Sequence, residues 1–262
     1  MRGPAMLAAA LLAAASLVAP ARAQDPRPEL IEIGLSTDSV SITSDFAGAD
    51  LTIFGALDNA DPLVSRQGRY DVIVVLEGPS RPVVVRRKTR ILGMWINTES
   101  ETFLNVPVSY SVATTRPLRD ITDPKNYRQL SLGAANIYME PEDKSAGPVT
   151  IEEFTAALRD RKMATGLYNE RVGGVQFLSQ NLFRATLELA PNVPVGTHRA
   201  RAFLFRNGIF IRETSAQLAI LKAGFEQSIF RLSRDYGFLY GVFAVLLAIL
   251  TGWIGRLVFR KD

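Results

Sequence analysis

The residues of this chain that could carry chemistry are few, and the densest group of them is basic. Guanidinium and ammonium groups bind anions, and a nearby tryptophan can anchor a partner. The group therefore predicts a patch for a small anion or for a partner, with contact to lipid headgroups as a third alternative. Charged residues also keep a sheet edge from unwanted pairing, so a plain edge strand explains the same pattern. The residues concerned are Arg86, Arg87, Lys88, Arg90 and Trp95.

The chain offers little for metal binding or catalysis. It has no Cys and one His, whereas a transition-metal site takes several Cys, His or Met ligands. Glu140, Glu142 and Asp143 lack the spacing of a calcium-binding loop, so we interpret them as a solvated loop. His198 could act as a base for a serine, but no nucleophile motif accompanies it, and we interpret it as a residue at a strand start. We expect no catalytic residue, no cofactor, no metal site and no enzymatic activity.

An export signal is predicted at the N-terminus, over residues 1–23. A positive residue, Arg2, precedes an apolar run that is too short to span a bilayer. The small residues Ala21 and Ala23 mark a cleavage site, so Gln24 is the expected first residue of the mature chain. This predicts that a domain over residues 24–222 is exported to the periplasm, where it folds without disulfides around a hydrophobic core.

A transmembrane helix is predicted over residues 236–255. No residue in this range is charged, and about 20 residues are what a helix needs to cross the hydrocarbon core. Tyr236, Tyr240 and Trp253 lie toward its two ends, as aromatic residues do at membrane interfaces. Cations follow in the tail, residues 256–262. The positive-inside tendency then places the C-terminus in the cytoplasm and the protein in the bacterial inner membrane.

The C-terminal region also predicts contacts in or near the membrane. Residues 223–235 are interpreted as a juxtamembrane amphipathic segment. Within the span, small residues recur at intervals of three and four, which places them on one helix face that a second helix can approach closely. We expect this face to pack against a second copy of the chain or against another membrane protein. The residues concerned are Gly237, Gly241, Ala244, Ala248 and Gly252.

The basic character of the chain belongs to its two ends. Of 30 basic and 26 acidic residues, the predicted signal peptide and tail hold five basic and one acidic residue, which leaves 25 of each. The exported domain is therefore formally neutral. This balance argues against a nucleic-acid partner.

The exported part has the pattern of a mainly β domain. Alternation of apolar and polar residues marks strands and indicates antiparallel sheets with one wet face. Residues 70–77 are apolar on both faces, which predicts a central strand, and Asn207-Gly208 is a strong signal for a tight hairpin. We expect an immunoglobulin-like antiparallel β-sandwich, with its strands within residues 29–112 and 172–222.

A helical insertion is predicted between these two groups of strands, over residues 113–170. Asp123 followed by proline predicts one helix start. Thr150 and Glu153 have the spacing of a capping box, which predicts another. The alternative is two small β domains joined by helices.

The strand that carries the basic group is expected to break or to switch sheets near residues 90–93. Alternate positions change there from cationic to apolar. Leu92, Met94 and Ile96 are then expected to face the core. Trp95 is expected to point outward or under the insertion.

A series of spaced residues carries a family resemblance: Gly93, Trp95, Asn97, Phe103, Pro107, Tyr110, Arg116, Pro117 and Leu118. With these residues the chain resembles the Alph_Pro_TM family of transmembrane proteins of alphaproteobacteria, over essentially the whole mature chain. The resemblance implies an inner-membrane protein with a periplasmic domain, near sulfite-exporter-like permeases. It supplies no catalytic residues.

These observations predict a single-pass inner-membrane protein that acts as an accessory or interaction subunit of a membrane transporter or assembly. The alternative is a membrane-tethered periplasmic binding module for a small anion. The first hypothesis depends on the small-residue face of the span and the second on the basic group, so mutation can separate them.

Overall fold

The computed structural model describes residues 28–43, 45–143, 147–223 and 233–258. The predicted signal peptide, most of the predicted juxtamembrane segment and the last residues of the predicted tail lie outside this part of the chain. The strands are β1 (Leu30–Leu35), β2 (Ser39–Ile42), β3 (Ala49–Asp58), β4 (Tyr70–Glu77), β5 (Ser80–Ile91), β6 (Met94–Pro107), β7 (Tyr110–Thr114), β8 (Tyr168–Val172), β9 (Val175–Phe177), β10 (Leu182–Leu189), β11 (Gly196–Arg206) and β12 (Ile209–Lys222). The helices are α1 (Pro62–Arg66), α2 (Leu118–Ile121), α3 (Pro124–Gln129), α4 (Pro148–Ala164) and α5 (Gly237–Val258).

The strands form two large sheets that pack face to face. The first has the order β1-β3-β10-β9, and the second has the order β2-β12-β11-β4-β7-β8. This is the order of an immunoglobulin domain, with strands A, B, E and D in one sheet and G, F and C in the other. Strand β3 pairs with β10, and β4 pairs with β11, so strands from before and after the insertion share both sheets. The predicted immunoglobulin-like sandwich is confirmed, and the alternative of two small β domains is wrong.

Strand β4 is the central strand that its sequence predicts. Its residues from Tyr70 to Leu76 are all buried. Val72 and Val74 lie in the first core, between the two sheets, whereas Ile73 and Val75 lie in a second core on the outer face of the second sheet. Fully burying one such side chain stabilises the fold by about 1.5–3 kcal/mol, so both faces of β4 contribute.

The insertion covers the outer face of the second sheet. Strands β7 and β8 pair in parallel, and parallel neighbours need a crossover connection. The crossover carries α2, α3 and α4. Phe154 and Leu158 of α4 are buried in the second core together with Phe203 and Phe205 of β11. The helices therefore supply the apolar surface against which the outer face of β4 and β11 packs.

Helix α4 begins earlier than the sequence predicts. Its N-cap is Gly147 and its first residue is Pro148, so Thr150 lies inside the helix and the predicted capping box with Glu153 is wrong. Proline is favoured at the first helical position because its ring fixes a helical φ. Helix α3 does begin after Asp123, although the Asp123 side chain makes no capping hydrogen bond.

Helix α5 is apolar and uncovered. Of the helices in the described residues, one is long and apolar enough to cross a membrane, over Gly237–Gly255, with a mean hydropathy of 2.1. None of this segment is buried within the described part of the chain. Its length and composition agree with the predicted span over residues 236–255.

Candidate functional site

The hairpin formed by β5 and β6 begins where β4 ends. The amide of Gly78 donates to the carbonyl oxygen of Ser109 at 2.9 Å, and the amide of Val108 donates to that of Pro79 at 3.0 Å. These two bonds connect the β4–β7 ladder to the β5–β6 ladder. Beyond this root, β5 and β6 form a separate two-stranded sheet. The basic group of the sequence lies on this hairpin.

Arg87 ties the middle of the hairpin to the insertion. Its guanidinium contacts the carboxylate of Glu99 at 2.9 Å and that of Glu153 on α4. It also lies over the ring of Phe154, with 5.1 Å between the guanidinium carbon and the ring centroid. Because two carboxylates and an aromatic face offset its charge, Arg87 has a structural contact rather than a free anion-binding group.

The acidic residues near position 140 support the hairpin from the side. The amide of Leu104 donates to the carbonyl oxygen of Glu140, and the amide of Glu142 donates to that of Thr102, both at 2.8 Å. The Asn105 side chain also donates to the Glu140 carboxylate at 3.3 Å. Within the described residues, no group of three or more His, Cys, Asp or Glu side chains could hold a metal ion.

A register shift after Arg87 separates the base of the hairpin from its outer part. Side chains alternate between the two faces along each strand, and residues directly opposite on the two strands share a face. Beyond the shift, one face carries Lys88, Arg90, Trp95 and Asn97, and the other carries Thr89, Ile91, Met94 and Ile96.

The end of the hairpin is apolar and exposed. The exposed fraction is 94% for Leu92, 69% for Trp95 and 62% for Met94. We call this group the apolar tip. It consists of Ile91, Leu92, Met94, Trp95 and Ile96.

The expected orientation is wrong for three of these residues, whereas Trp95 points outward as expected. Leu92, Met94 and Ile96 were expected to face the core after a break or a strand switch, but all three are exposed. The reason is the turn between β5 and β6. Leu92 and Gly93 have φ values of 50° and 84°, which reverses the chain within two residues. The chain thus returns along its own strand and does not enter a second sheet.

The structure brings together part of the predicted patch. Arg86, Lys88 and Arg90 alternate along β5 and are exposed, so they share a face, and Trp95 lies opposite Arg90 on that face. Arg87 lies on the other face with its carboxylate partners. Three cations and one tryptophan therefore remain available to a ligand or partner.

The small-residue face of α5 is also open. Gly237, Gly241, Ala244, Ala248 and Gly252 are all exposed. Among the described residues, no atom of another element lies within 4 Å of where a side chain would begin at Gly237, Gly241 or Gly252. A second helix could approach this face closely, and its role in packing stays a prediction.

The structure shows a buried pair that the sequence did not indicate. The Nε2 atom of His198 lies 3.0 Å from the hydroxyl of Ser109, and its Nδ1 atom lies 3.2 Å from the carbonyl oxygen of Gly196. A carbonyl oxygen can only accept, so Nδ1 carries the proton and Nε2 accepts from the serine. Burial lowers the pKa of His198, which favours this neutral form. Ser109 is 89 residues away in the chain, so no local pattern could have joined the two.

The Ser109–His198 pair is a structural contact. His198 has no exposed surface, and its Nδ1 atom faces a backbone carbonyl, whereas the histidine of a catalytic triad faces a carboxylate. The pair joins the start of β11 to the root of the hairpin. His198 thus lies near a strand start, as expected.

A second buried contact lies at the other end of β4. The Asp71 carboxylate accepts hydrogen bonds from Arg116 Nε and from the Thr115 hydroxyl, both at 2.8 Å. Asp71 is buried, and its hydrogen bond to Arg116 raises the pKa of that guanidinium. A buried carboxylate needs such partners, so Arg116 holds the start of β4 to the end of β7.

The fold and the uncovered helix define a mainly β protein with one candidate membrane span. The chain belongs to the family described as "Putative transmembrane protein (Alph_Pro_TM)", whose model matches residues 30–261. None of the curated proteins matches this chain.

Two solved structures show weak similarity. One is AggA, the major subunit of aggregative adherence fimbriae type I from Escherichia coli, with 10% identity and a TM-score of 0.26 over 76% of this chain and 99% of AggA. The other is the N-terminal domain of the Streptococcus gordonii adhesin Sgo0707, with 9% identity and a TM-score of 0.25 over 76% of this chain and 34% of that one. With TM-scores this low, neither similarity carries an argument about function.

Proposed function

We propose that this chain is a single-pass protein of the bacterial inner membrane that acts as an accessory or interaction subunit of a membrane transporter or assembly. Its β-sandwich lies in the periplasm and its C-terminus in the cytoplasm. The observation that carries the proposal is α5, whose apolar span is uncovered and presents an open small-residue face. Apolarity alone does not drive helix association in lipid, whereas small residues allow close packing. The face therefore suits a partner helix.

The same proposal assigns no enzymatic activity to the chain. The serine–histidine pair is buried, and none of its hydrogen bonds in the described part of the chain is to a carboxylate. Two ionised groups, Arg87 of the hairpin and Asp71 of β4, are used in contacts between elements. These features support a role in binding and positioning.

Affinity purification from mildly solubilised inner membranes tests the subunit role. A variant with Gly241→Leu, Ala248→Leu and Gly252→Leu fills the small-residue face and should lose the membrane protein that co-purifies with the wild type. A matched control, Leu239→Ala, Leu246→Ala and Leu250→Ala, changes the opposite face and should retain it. Recovery of the same companions with both variants, or of none with the wild type, would contradict the proposal.

A second candidate function is the binding of a small anion. The observation in its favour is that Arg86, Lys88 and Arg90 lie exposed on one face beside Trp95. The chain has two tryptophans, so in a Trp253→Phe variant Trp95 is the only tryptophan and can be excited selectively. Sulfate or phosphate titrated into this full-length protein in detergent should give a saturable change in emission that Lys88→Gln with Arg90→Gln removes. No saturable change would exclude this candidate.

A further inference from the structure

We propose that the apolar tip of the β5–β6 hairpin inserts into the interfacial region of a bilayer that contains anionic lipid. The contact is a second attachment to the membrane, apart from the span. It goes beyond the subunit role, which rests on α5. Four observations on the hairpin and its connection to the span carry the inference.

The first observation is the residue at the turn. Leu92 has a φ of 50° and is 94% exposed. A left-handed conformation is unfavourable for leucine, and Asn-Gly is the preferred sequence of such a two-residue turn. The β11–β12 hairpin of the same protein uses Asn207-Gly208 with φ values of 50° and 84°, the values found at Leu92-Gly93. The geometry of the turn therefore does not explain why a leucine lies at this exposed position. Its apolar side chain indicates a contact with something outside the chain.

The second observation is that the apolar residues lie on both faces. Ile91, Met94 and Ile96 share one face, and Trp95 lies on the other. A flat protein surface would cover one face and leave the other in water. Insertion surrounds the tip, so an interfacial lipid layer covers both faces at once. Tryptophan is enriched at this depth because its ring is amphipathic.

The third observation is the charge around the tip. Residues 88–98 include Lys88 and Arg90 and no Asp or Glu. The nearest carboxylate along β6, that of Glu99, is already paired with Arg87. Each cation close to an anionic membrane surface strengthens binding by roughly fivefold. The outer part of the hairpin thus combines an apolar end with a net positive charge, which complements anionic headgroups.

The fourth observation is the position of the hairpin root. Arg199 of β11 lies opposite Glu77 near the end of β4 and opposite Gln217 of β12. Because β11 is antiparallel to both strands, β4 and β12 end on the same side of the sandwich. The hairpin therefore begins at the end from which the chain leads to the span. The segment from Lys222 to Gly237 spans at most about 50 Å, which keeps the membrane at a high effective concentration.

The test uses the full-length protein in liposomes without any other protein. In a Trp253→Phe background Trp95 is the only tryptophan, and lipids brominated in the upper acyl chain quench tryptophans that reach them. We expect Trp95 to show blue-shifted, quenched emission in phosphatidylcholine bilayers that contain phosphatidylglycerol. In pure phosphatidylcholine, or with Lys88→Gln and Arg90→Gln, the shift and the quenching should be smaller.

A positional control moves the probe to the opposite end of the sandwich. The variant Trp253→Phe, Trp95→Phe, Gln67→Trp places a tryptophan at an exposed residue before β4. Its emission should be that of a water-exposed indole in every bilayer. Emission from Trp95 equal to this control in both lipid compositions would overturn the inference.

The variant Leu92→Asn separates insertion from folding. It supplies the residue that the turn prefers, so the unfolding midpoint should be unchanged or higher while quenching of Trp95 is lost. Quenching that survives Leu92→Asn, or that is equal in both lipid compositions, contradicts insertion as proposed. A tip that is water-exposed in pure lipid but shielded in native membranes would identify a protein partner in place of lipid. None of these outcomes depends on the small-residue face of α5, so the subunit proposal is tested separately.

Discussion

His198 couples the stability of the sandwich to pH through a single side chain. Burial lowers its folded pKa below the ordinary value of 6.5, so below about pH 6.5 the unfolded chain binds a proton that the folded chain resists. Stability therefore falls on acidification through this window, by up to about 1.4 kcal/mol per pH unit. Urea unfolding of the full chain in detergent, followed by circular dichroism at pH 5.0 to 7.5, measures this slope.

The variant His198→Gln isolates this effect. It keeps a polar side chain toward Ser109 and Gly196 but removes the titration, so the slope below pH 6.5 should become shallower even where the overall stability is lower. Burial raises the pKa of Glu77. Its contribution to the pH dependence of stability is opposite to that of His198, because the stability due to Glu77 is lost as pH rises through its folded pKa. Glu77 is present in both proteins and cancels in the comparison. Equal slopes in the two proteins would contradict the assignment to His198.

Arg87 adds a contact between the hairpin and the insertion beyond the base of the hairpin, where Phe103 and Val106 are buried in the second core. Its contacts with Glu153 and Phe154 connect β5 to α4, whereas the outer part of the hairpin has no comparable contact to the insertion among those found in the described residues. The variant Arg87→Ala removes contacts that contribute about 1 kcal/mol. We expect amide hydrogen exchange in β5 and β6 to become about fivefold faster, with the core strands unchanged.

The neighbouring cation gives a matched control. Arg86 lies on the opposite face of β5 and is exposed, so Arg86→Ala removes the same charge without touching α4. Exchange in the hairpin should then match the wild type. Equally fast exchange in both variants would show that charge alone, and not the contact with α4, holds the hairpin.

Elements with a local signal were predictable, and elements that depend on distant pairing were not. Asn207-Gly208 closes the β11–β12 hairpin as predicted, because this dipeptide itself favours the turn. Leu92-Gly93 forms a turn with the same φ values, but leucine carries no such signal. A break or a strand switch was predicted near residues 90–93, and the structure has the break but not the switch. The helix that begins at Pro148 was predicted to begin three residues later, because Thr150 has the spacing of a cap.

In the whole molecule, too, features with a local sequence signal were predictable and features that depend on distant pairing were not. Apolar residues on both faces of β4 predicted a central strand, and the structure confirms it. The covering of its outer face depends on the parallel pairing of β7 with β8, which joins segments more than 50 residues apart. The sequence also could not show that Arg87 is separate from the other cations of the predicted patch. It forms an ion pair with Glu153, which lies 66 residues further along the chain.

The proposed orientation of the chain in the membrane rests on the charges near its C-terminus and can be measured directly. The chain has no Cys, so single cysteines report the side of the membrane on which they lie. In spheroplasts, a membrane-impermeant maleimide should label Gln67→Cys, at an exposed residue of the sandwich. It should label Asp262→Cys only after detergent, because the cations near the C-terminus favour the cytoplasm. Labelling of Asp262→Cys in intact spheroplasts would reverse the orientation, and the apolar tip of the hairpin would then face the cytoplasmic leaflet, whose anionic lipid would still match its cations.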